Sequence, residues 1–317
     1  MKRSSLLLLA LVTIAVAMPA AAQVNDTYVI PAAANSNGAF GTRWLTQFSL
    51  FNPQGHTLFV TIVLLPTIGI PGPDPLVVEM PPNTVAYSDD ILSDGFDFFG
   101  TGSLLVATFP EENPGVPNDV LSRSFLVTSN TYNNSHTGTY GQTIPGIWTG
   151  LQDYDSDGIS GVVHGIRNIA RLGWRTNIGA VNLGDRSVVM RVTVFDADGR
   201  RMLNEAPFTI PPFAHMQDRL PVEVDRGSIE FFLDDPSQSA VVFPYSSTID
   251  QLSGDPTYQS PVLLASPGAI YSKRAIAQEA LGRKITIDTA RAAIANAGPA
   301  TRVSLTRQEN GYRITRE

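Results

Sequence analysis

The chain contains no cysteine. That excludes a disulfide framework, thiol chemistry and lipid attachment at a cysteine near the N-terminus, so stability has to come from packed cores. Charge is also scarce: 16% of residues are charged, against roughly 25% in soluble globular chains. The formal net charge is -7, which argues against a body that coats nucleic acid or anionic lipid. Histidine is rare, and of His56, His136, His164 and His215 no two stand at metal-ligand spacing on one element. No Gly-x-Ser-x-Gly elbow, phosphate loop or dinucleotide fingerprint can be read. After the first residues no apolar run reaches the roughly 20 residues a spanning helix needs, so no transmembrane anchor is expected.

The start of the chain is different. Lys2 and Arg3 precede the apolar run Leu6 to Ala17 and the small-residue stretch "MPAAAQ". The pattern predicts a secretory signal peptide over residues 1–22, and with it a secreted protein of the cell surface, extracellular space or periplasm. Removing Lys2 and Arg3 leaves the mature chain two charges more negative.

The body repeats itself. "RWLTQFSLFNPQG" from Arg43 returns as "GWRTNIGAVNLGD" from Gly173, pairing Trp44 with Trp174, Thr46 with Thr176, Phe48 with Ile178 and Asn52 with Asn182 at one constant offset. The same offset pairs Thr61–Leu65 with Arg191–Phe195, and Pro81-Pro82 with Pro211-Pro212. Register kept over such a length means duplication. Further on, "GTGSLLVA" answers "DRGSIEFF", and each copy closes on a Thr-Tyr pair, Thr139-Tyr140 and Thr257-Tyr258.

Within a copy, short runs rich in Val, Ile, Thr and Phe alternate with period two and break at Gly, Pro and Asn, so they read as strands. "FVTIVLL" is apolar on both faces, the pattern of a strand buried between layers. Trp44 and Trp174 are expected as buried anchors in place of a disulfide. Asn52 and Asn182 are expected in turns, and Tyr140 and Tyr258 as corner anchors.

The pattern from "GTRWLTQFSLFNP" through "PPNT" to "GTYGQTIP", with its second copy, resembles bacterial secreted proteins built from tandem immunoglobulin-like sandwiches, over Tyr28 to about Pro261. The resemblance implies an all-β fold of two tandem antiparallel sandwiches, residues 23–148 and 162–264, and it carries no reaction. An acidic linker, 149–161, separates them, and a small basic α+β appendage, 265–317, follows.

Three features bear on function. Asp153, Asp155 and Asp157, followed by Gly158, match the opening half of a calcium loop, but His164 stands where the closing glutamate belongs; a polar linker explains the same residues. Tyr132, Tyr140 and Trp148 lie in or near the polar run Thr128 to Gln142, a mixture suited to sugar faces and equally to a polar edge strand. Asn133-Asn134-Ser135 fits a glycosylation acceptor. The tail shows two alanine-rich helical stretches and a hairpin signal at Asn310-Gly311. It is read either as an appendage on the second sandwich or as a dock for an anionic envelope surface.

The expectation is a non-enzymatic exported protein serving adhesion, interaction or structure, with a cell-surface protein or glycan as partner. A carbohydrate-binding module is the alternative. A hydrolase with dispersed acids such as Asp89-Asp90, Glu111-Glu112 or Asp234-Asp235 comes last, because these acids read as solvated strand ends.

Overall fold

A computed structural model describes residues 26–38, 41–135, 138–148, 160–234, 241–264, 290–309 and 311–316. The fold is all-β, as the alternating patterns require. The expected signal peptide and the acidic linker, including Asp153, Asp155 and Asp157, lie outside these residues.

The first copy contains β1 (Thr27–Asn37), β2 (Arg43–Asn52), β3 (Leu58–Pro66), β4 (Leu76–Met80), β5 (Thr84–Ser88), β6 (Gly100–Ala107), β7 (Leu126–Ser135), β8 (Gly138–Pro145) and β9 (Ile147–Trp148), with two single-turn helices, α1 (Ile91–Asp94) and α2 (Val120–Arg123). The second contains β10 (Ser160–Asn168), β11 (Trp174–Asn182), β12 (Val188–Phe195), β13 (Arg201–Ile210), β14 (Ala214–Arg219), β15 (Val224–Asp234), β16 (Val242–Asp250), β17 (Asp255–Gln259) and β18 (Val262–Leu264). Strand for strand the two agree. Order β4-β3-β6-β1-β9 answers β13-β12-β15-β10-β18, and β5-β2-β7-β8 answers β14-β11-β16-β17.

The duplication extends to single hydrogen bonds. Asn52 Nδ2 donates to the carbonyls of His56, Met80 and Pro81 at 2.9, 3.0 and 3.0 Å, and its Oδ1 accepts from Gln54 N–H at 2.9 Å. Asn182 Nδ2 donates to Arg186, Ile210 and Pro211 at 2.7, 3.2 and 3.1 Å, and its Oδ1 accepts from Gly184 N–H at 2.8 Å. Both are fully buried. Each therefore holds a strand end to the following proline turn as well as shaping its own turn. In that proline turn Asn83 and Phe213 both adopt left-handed backbone, φ 54 and 48.

Trp44 and Trp174 do not serve as core anchors. Alternation places them on the inward face, as expected, but at the first turn of β2 and β11, where the layers open, and both are only half-buried. Arg167 covers the Trp174 ring at 4.4 Å, while Trp44 lines a cleft described below. The core instead holds Phe48 and Ile178, both fully buried. The terminal tyrosines are not equivalent either: Tyr140 stands opposite Asn133, whereas Tyr258 stands opposite Ser247 and accepts from Ser260 Oγ. The buried hydroxyl-to-backbone anchor is Tyr28, donating to Phe125 O at 3.0 Å.

The strands of the tail pair with the first copy, whereas the tail was expected as an appendage on the second. A helix at residues 290–297, α3, leads into β19 (Thr301–Gln308) and β20 (Gly311–Thr315). The hairpin forms where Asn310-Gly311 predicts it, with Gln308 opposite Gly311. β19 runs parallel to β4 and β20 parallel to β5. With β1 bending to pair with β2 through Ser36 and Asn37, the circuit β1-β2-β5-β20-β19-β4-β3-β6 closes as an eight-stranded barrel. The reason lies in the edges. β4 buries Leu76, Val78 and Met80 completely, and such an apolar edge needs cover. The corresponding β13 is mostly exposed and carries Arg201, Asn204 and Glu205, which protects it without a partner.

β3 is buried on both faces as its sequence requires. Leu58, Val60, Ile62 and Leu64 fill the barrel. Val63 and Leu65 face outward into a cluster with Val29, Leu105 and Phe109, closed by Val181 and Phe243 of the second copy and by Ala290 and Ala293 of α3. The second copy has its own interior around Met190, Val192 and Phe231.

Candidate functional site

The outward face of β14, β11 and β16 changes character along its length, and the change creates the site. Strand register sets the rows. His215, Val181 and Phe243 form one, then Gln217, Gly179 and Tyr245, then Arg219, Asn177 and Ser247, and last Arg175 beside Ile249. The Val181 and Phe243 end is apolar and packs on the barrel. The arginine end is polar and stays open.

Between them runs a chain of hydrogen bonds across the interface. His215 is buried with Nδ1 2.8 Å from Thr67 Oγ1 and Nε2 2.7 Å from Tyr245 Oη. Tyr245 Oη donates to Gln217 Oε1 at 2.8 Å, and Thr67 Oγ1 lies 2.7 Å from Thr101 Oγ1. These side-chain links are satisfied when Thr101 donates to Thr67, Thr67 to His215 Nδ1, and His215 Nε2–H to Tyr245, the one Thr67 proton then going to the ring instead of to Thr101 O at 3.0 Å. Burial alone pushes the His215 imidazole down to about 3, so the ring is neutral. Burial also raises the Tyr245 hydroxyl, which therefore keeps its proton. Ile68 N–H donates to His215 O at 3.0 Å, adding a backbone bond between the copies. Gly179 is required here because a Cβ would lie 2.3 Å from the Tyr245 ring.

Beyond this row the surfaces part into a cleft of about 380 Å³. Its floor is Arg175, Asn177, Gln217, Arg219, Ser247 and Ile249. Its opposite wall is Ala32–Ala34, Ser36, Asn37, Gly38, Trp44, Thr101 and Gln142 of the barrel. β1 is irregular between Ile30 and Ala33, and such a bulge re-aims a strand where a site is built. Gly38 allows the Trp44 indole to approach, since a Cβ there would meet Nε1 at 2.4 Å. Ser247 Oγ donates to Gln142 Oε1 at 3.1 Å, tying floor to wall.

The residues expected from sequence as a ligand surface are not assembled. Tyr132 faces Gly141 and Tyr140 faces Asn133 across the β7–β8 pair, so the two rings take opposite faces of the sheet. Trp148 pairs with Tyr28 in the other sheet. Tyr132 Oη donates to Asp89 O at 3.2 Å. Asn133 is 1% exposed and accepts Arg43 N–H, so it is no glycosylation acceptor as folded. From the polar run, Gln142 reaches the cleft. Arg175, Arg219 and Gln217 escaped sequence reading because only the interface brings them opposite Trp44.

The acidic pairs divide. Asp90 is nearly buried, caps α1 through Ser93 N–H, and has its carboxyl raised to about 6, chiefly by burial. Asp94 accepts from Arg313 at 3.3 Å and from Ser88 Oγ at 2.9 Å. Glu111 takes Arg291 through both oxygens, at 3.0 and 3.2 Å, which lowers its carboxyl. Asp94 and Glu111 therefore hold the tail; of the pairs expected at solvated strand ends, Asp90 is instead nearly buried as a helix cap and Glu111 is engaged by Arg291. Among the described residues no three His, Asp or Glu gather to hold a metal, and no helix is long and apolar enough to cross a membrane. No protein-family model matches the chain, and comparison with curated proteins found no match.

Proposed function

We propose that this is an exported, non-enzymatic binding protein of two immunoglobulin-like units, acting outside the cytoplasm, whose cleft between the units holds a saccharide. The observation that carries the reading is the cleft itself: a concavity of about 380 Å³, within the size range of small-ligand sites, with one half-buried indole facing amide, hydroxyl and guanidinium groups. An aromatic face with hydrogen-bonding groups around it suits a sugar ring, whose axial C–H bonds stack while its hydroxyls are bonded. A flat adhesion surface needs neither concavity nor that mixture. Glycosidases work with two flanking carboxyl groups, and Asp218 is the acid among the residues lining the cleft, so binding is favoured over turnover. The test is a glycan array with the purified chain, repeated with Trp44→Ala. Retention of glycans that Trp44→Ala abolishes is the expected result. No retention of any glycan, with capture of a surface protein instead, would replace this reading with protein adhesion.

A further inference from the structure

The cleft floor concentrates positive charge that forms no ion pair among the described residues. Arg219 stands opposite Asn177, and Arg175 lies two residues along β11 from Asn177 on the same face, so both guanidinium groups occupy one end of the floor. Arg175 Nε is buried without a hydrogen-bond partner. Burial first, and then the neighbouring Arg219, hold the Arg175 pKa down, the mark of a cation lacking a counter-charge. Asp218 lines the cleft too, but it stands opposite Ile178, one register position from the Arg219–Asn177 pair, its Oδ1 accepts Arg219's own backbone N–H at 2.7 Å, and among the described residues it forms no ion pair with either guanidinium. By the offset of the repeat, Leu45 and Asp89 stand in the first copy where Arg175 and Arg219 stand in the second. The basic pair is thus peculiar to the face that meets the cleft, with the charge at one position reversed.

Guanidinium groups present planar donor pairs that match a carboxylate better than a spherical ion. Apart from Asp218, the polar lining, Asn177, Gln142, Gln217 and Ser247 with the Trp44 indole, is neutral and suited to hydroxyls and a ring face. We infer that the ligand is an acidic saccharide, a sugar bearing a carboxylate, with Arg175 and Arg219 taking the carboxylate and Trp44 packing on the ring. This rests on the cleft reading above and names the ligand class within it.

The experiment is isothermal titration of the purified chain with tetrasaccharides of galacturonate, glucuronate and mannuronate, with their neutral hexose counterparts, and with sodium sulfate. The expected result is binding of one uronate series at least tenfold tighter than its neutral counterpart and than sulfate, weakening as salt rises. Arg175→Met and Arg219→Met should each weaken it tenfold or more. Arg175→Met should melt no lower than the unaltered chain, because it removes a charge that has no partner. Neutral sugars binding equally well, with Trp44→Ala abolishing and Arg175→Met sparing the interaction, would overturn the acidic class and leave the cleft reading standing. Sulfate binding as tightly as any uronate would reduce the site to a simple anion site and overturn the saccharide. Absence of binding across the panel overturns the acidic class, and binding that survives both Trp44→Ala and the arginine changes overturns the cleft as well.

Discussion

His215 Nδ1 and Thr67 Oγ1 lie 2.8 Å apart across the junction of the two copies, and burial there keeps the imidazole neutral. Because the folded pKa is depressed to about 3, against about 6.5 in an unfolded chain, unfolding takes up a proton below pH 6.5. The contribution of His215 is complete above pH 6.5 and is lost as pH falls toward 3, by about 1.4 kcal/mol per pH unit.

Asp90 pulls the other way. Raised to about 6, it contributes stability below its unfolded value of about 4 that is lost as pH rises through 6. Between pH 4 and 6 the contributions of Asp90 and His215 therefore oppose each other. The difference in melting temperature between the unaltered chain and His215→Asn, measured from pH 7.5 to 5, should shrink as pH falls. A constant difference would show that the imidazole is not held neutral.

Asn182→Ala and Asn52→Ala remove matching sets of hydrogen bonds and leave buried carbonyls without donors. Each should destabilise by about 2–4 kcal/mol, given about 1–3 kcal/mol for each unsatisfied buried group. Denaturant titration of both variants checks this. A loss below 1 kcal/mol in either would mean that water replaces the side chain.

Arg123 and Asp26 form an ion pair at 3.3 Å with side chains 2% and 4% exposed. Arg123→Met takes the guanidinium from the buried Asp26 carboxylate and should cost about 3–5 kcal/mol, while replacing both partners with apolar residues should cost less. The exposed Arg291–Glu111 pair serves as the contrast. Arg291→Ala should cost about 1 kcal/mol or less in the same denaturation assay.

Removing residues 290–317 takes β19 and β20 out of the barrel wall and uncovers β4, whose Leu76, Val78 and Met80 are fully buried. The truncated chain should aggregate through that edge, detectable by light scattering. A truncated chain that stays monomeric with an unchanged melting temperature would show that the tail is an ornament.

Phe213 illustrates how tertiary packing overrides local preference. Asparagine suits the left-handed position at Asn83, yet its counterpart is an aromatic at φ 48. That side chain packs into the cluster between the copies, which compensates for a strained backbone. Period-two patterning also placed Trp44 and Trp174 on the correct face, but pattern carries no information on where a layer ends. The same limit applies to Tyr132 and Tyr140: composition grouped them, and the β7–β8 register put them on opposite faces.

Local chemistry along the chain determined the strands, the duplication, the Asn52 and Asn182 turns and the hairpin at Gly311, because each depends on residues near in sequence or repeated in register. Tertiary structure alone decided that β19 and β20 close the first barrel, that His215 is buried against Thr67, and that Arg175 and Arg219 face Trp44. Those outcomes depend on which of two similar sheets offered an apolar edge and which outer face could be covered. Such comparisons are settled by desolvation across the whole molecule, and no short stretch of sequence contains them.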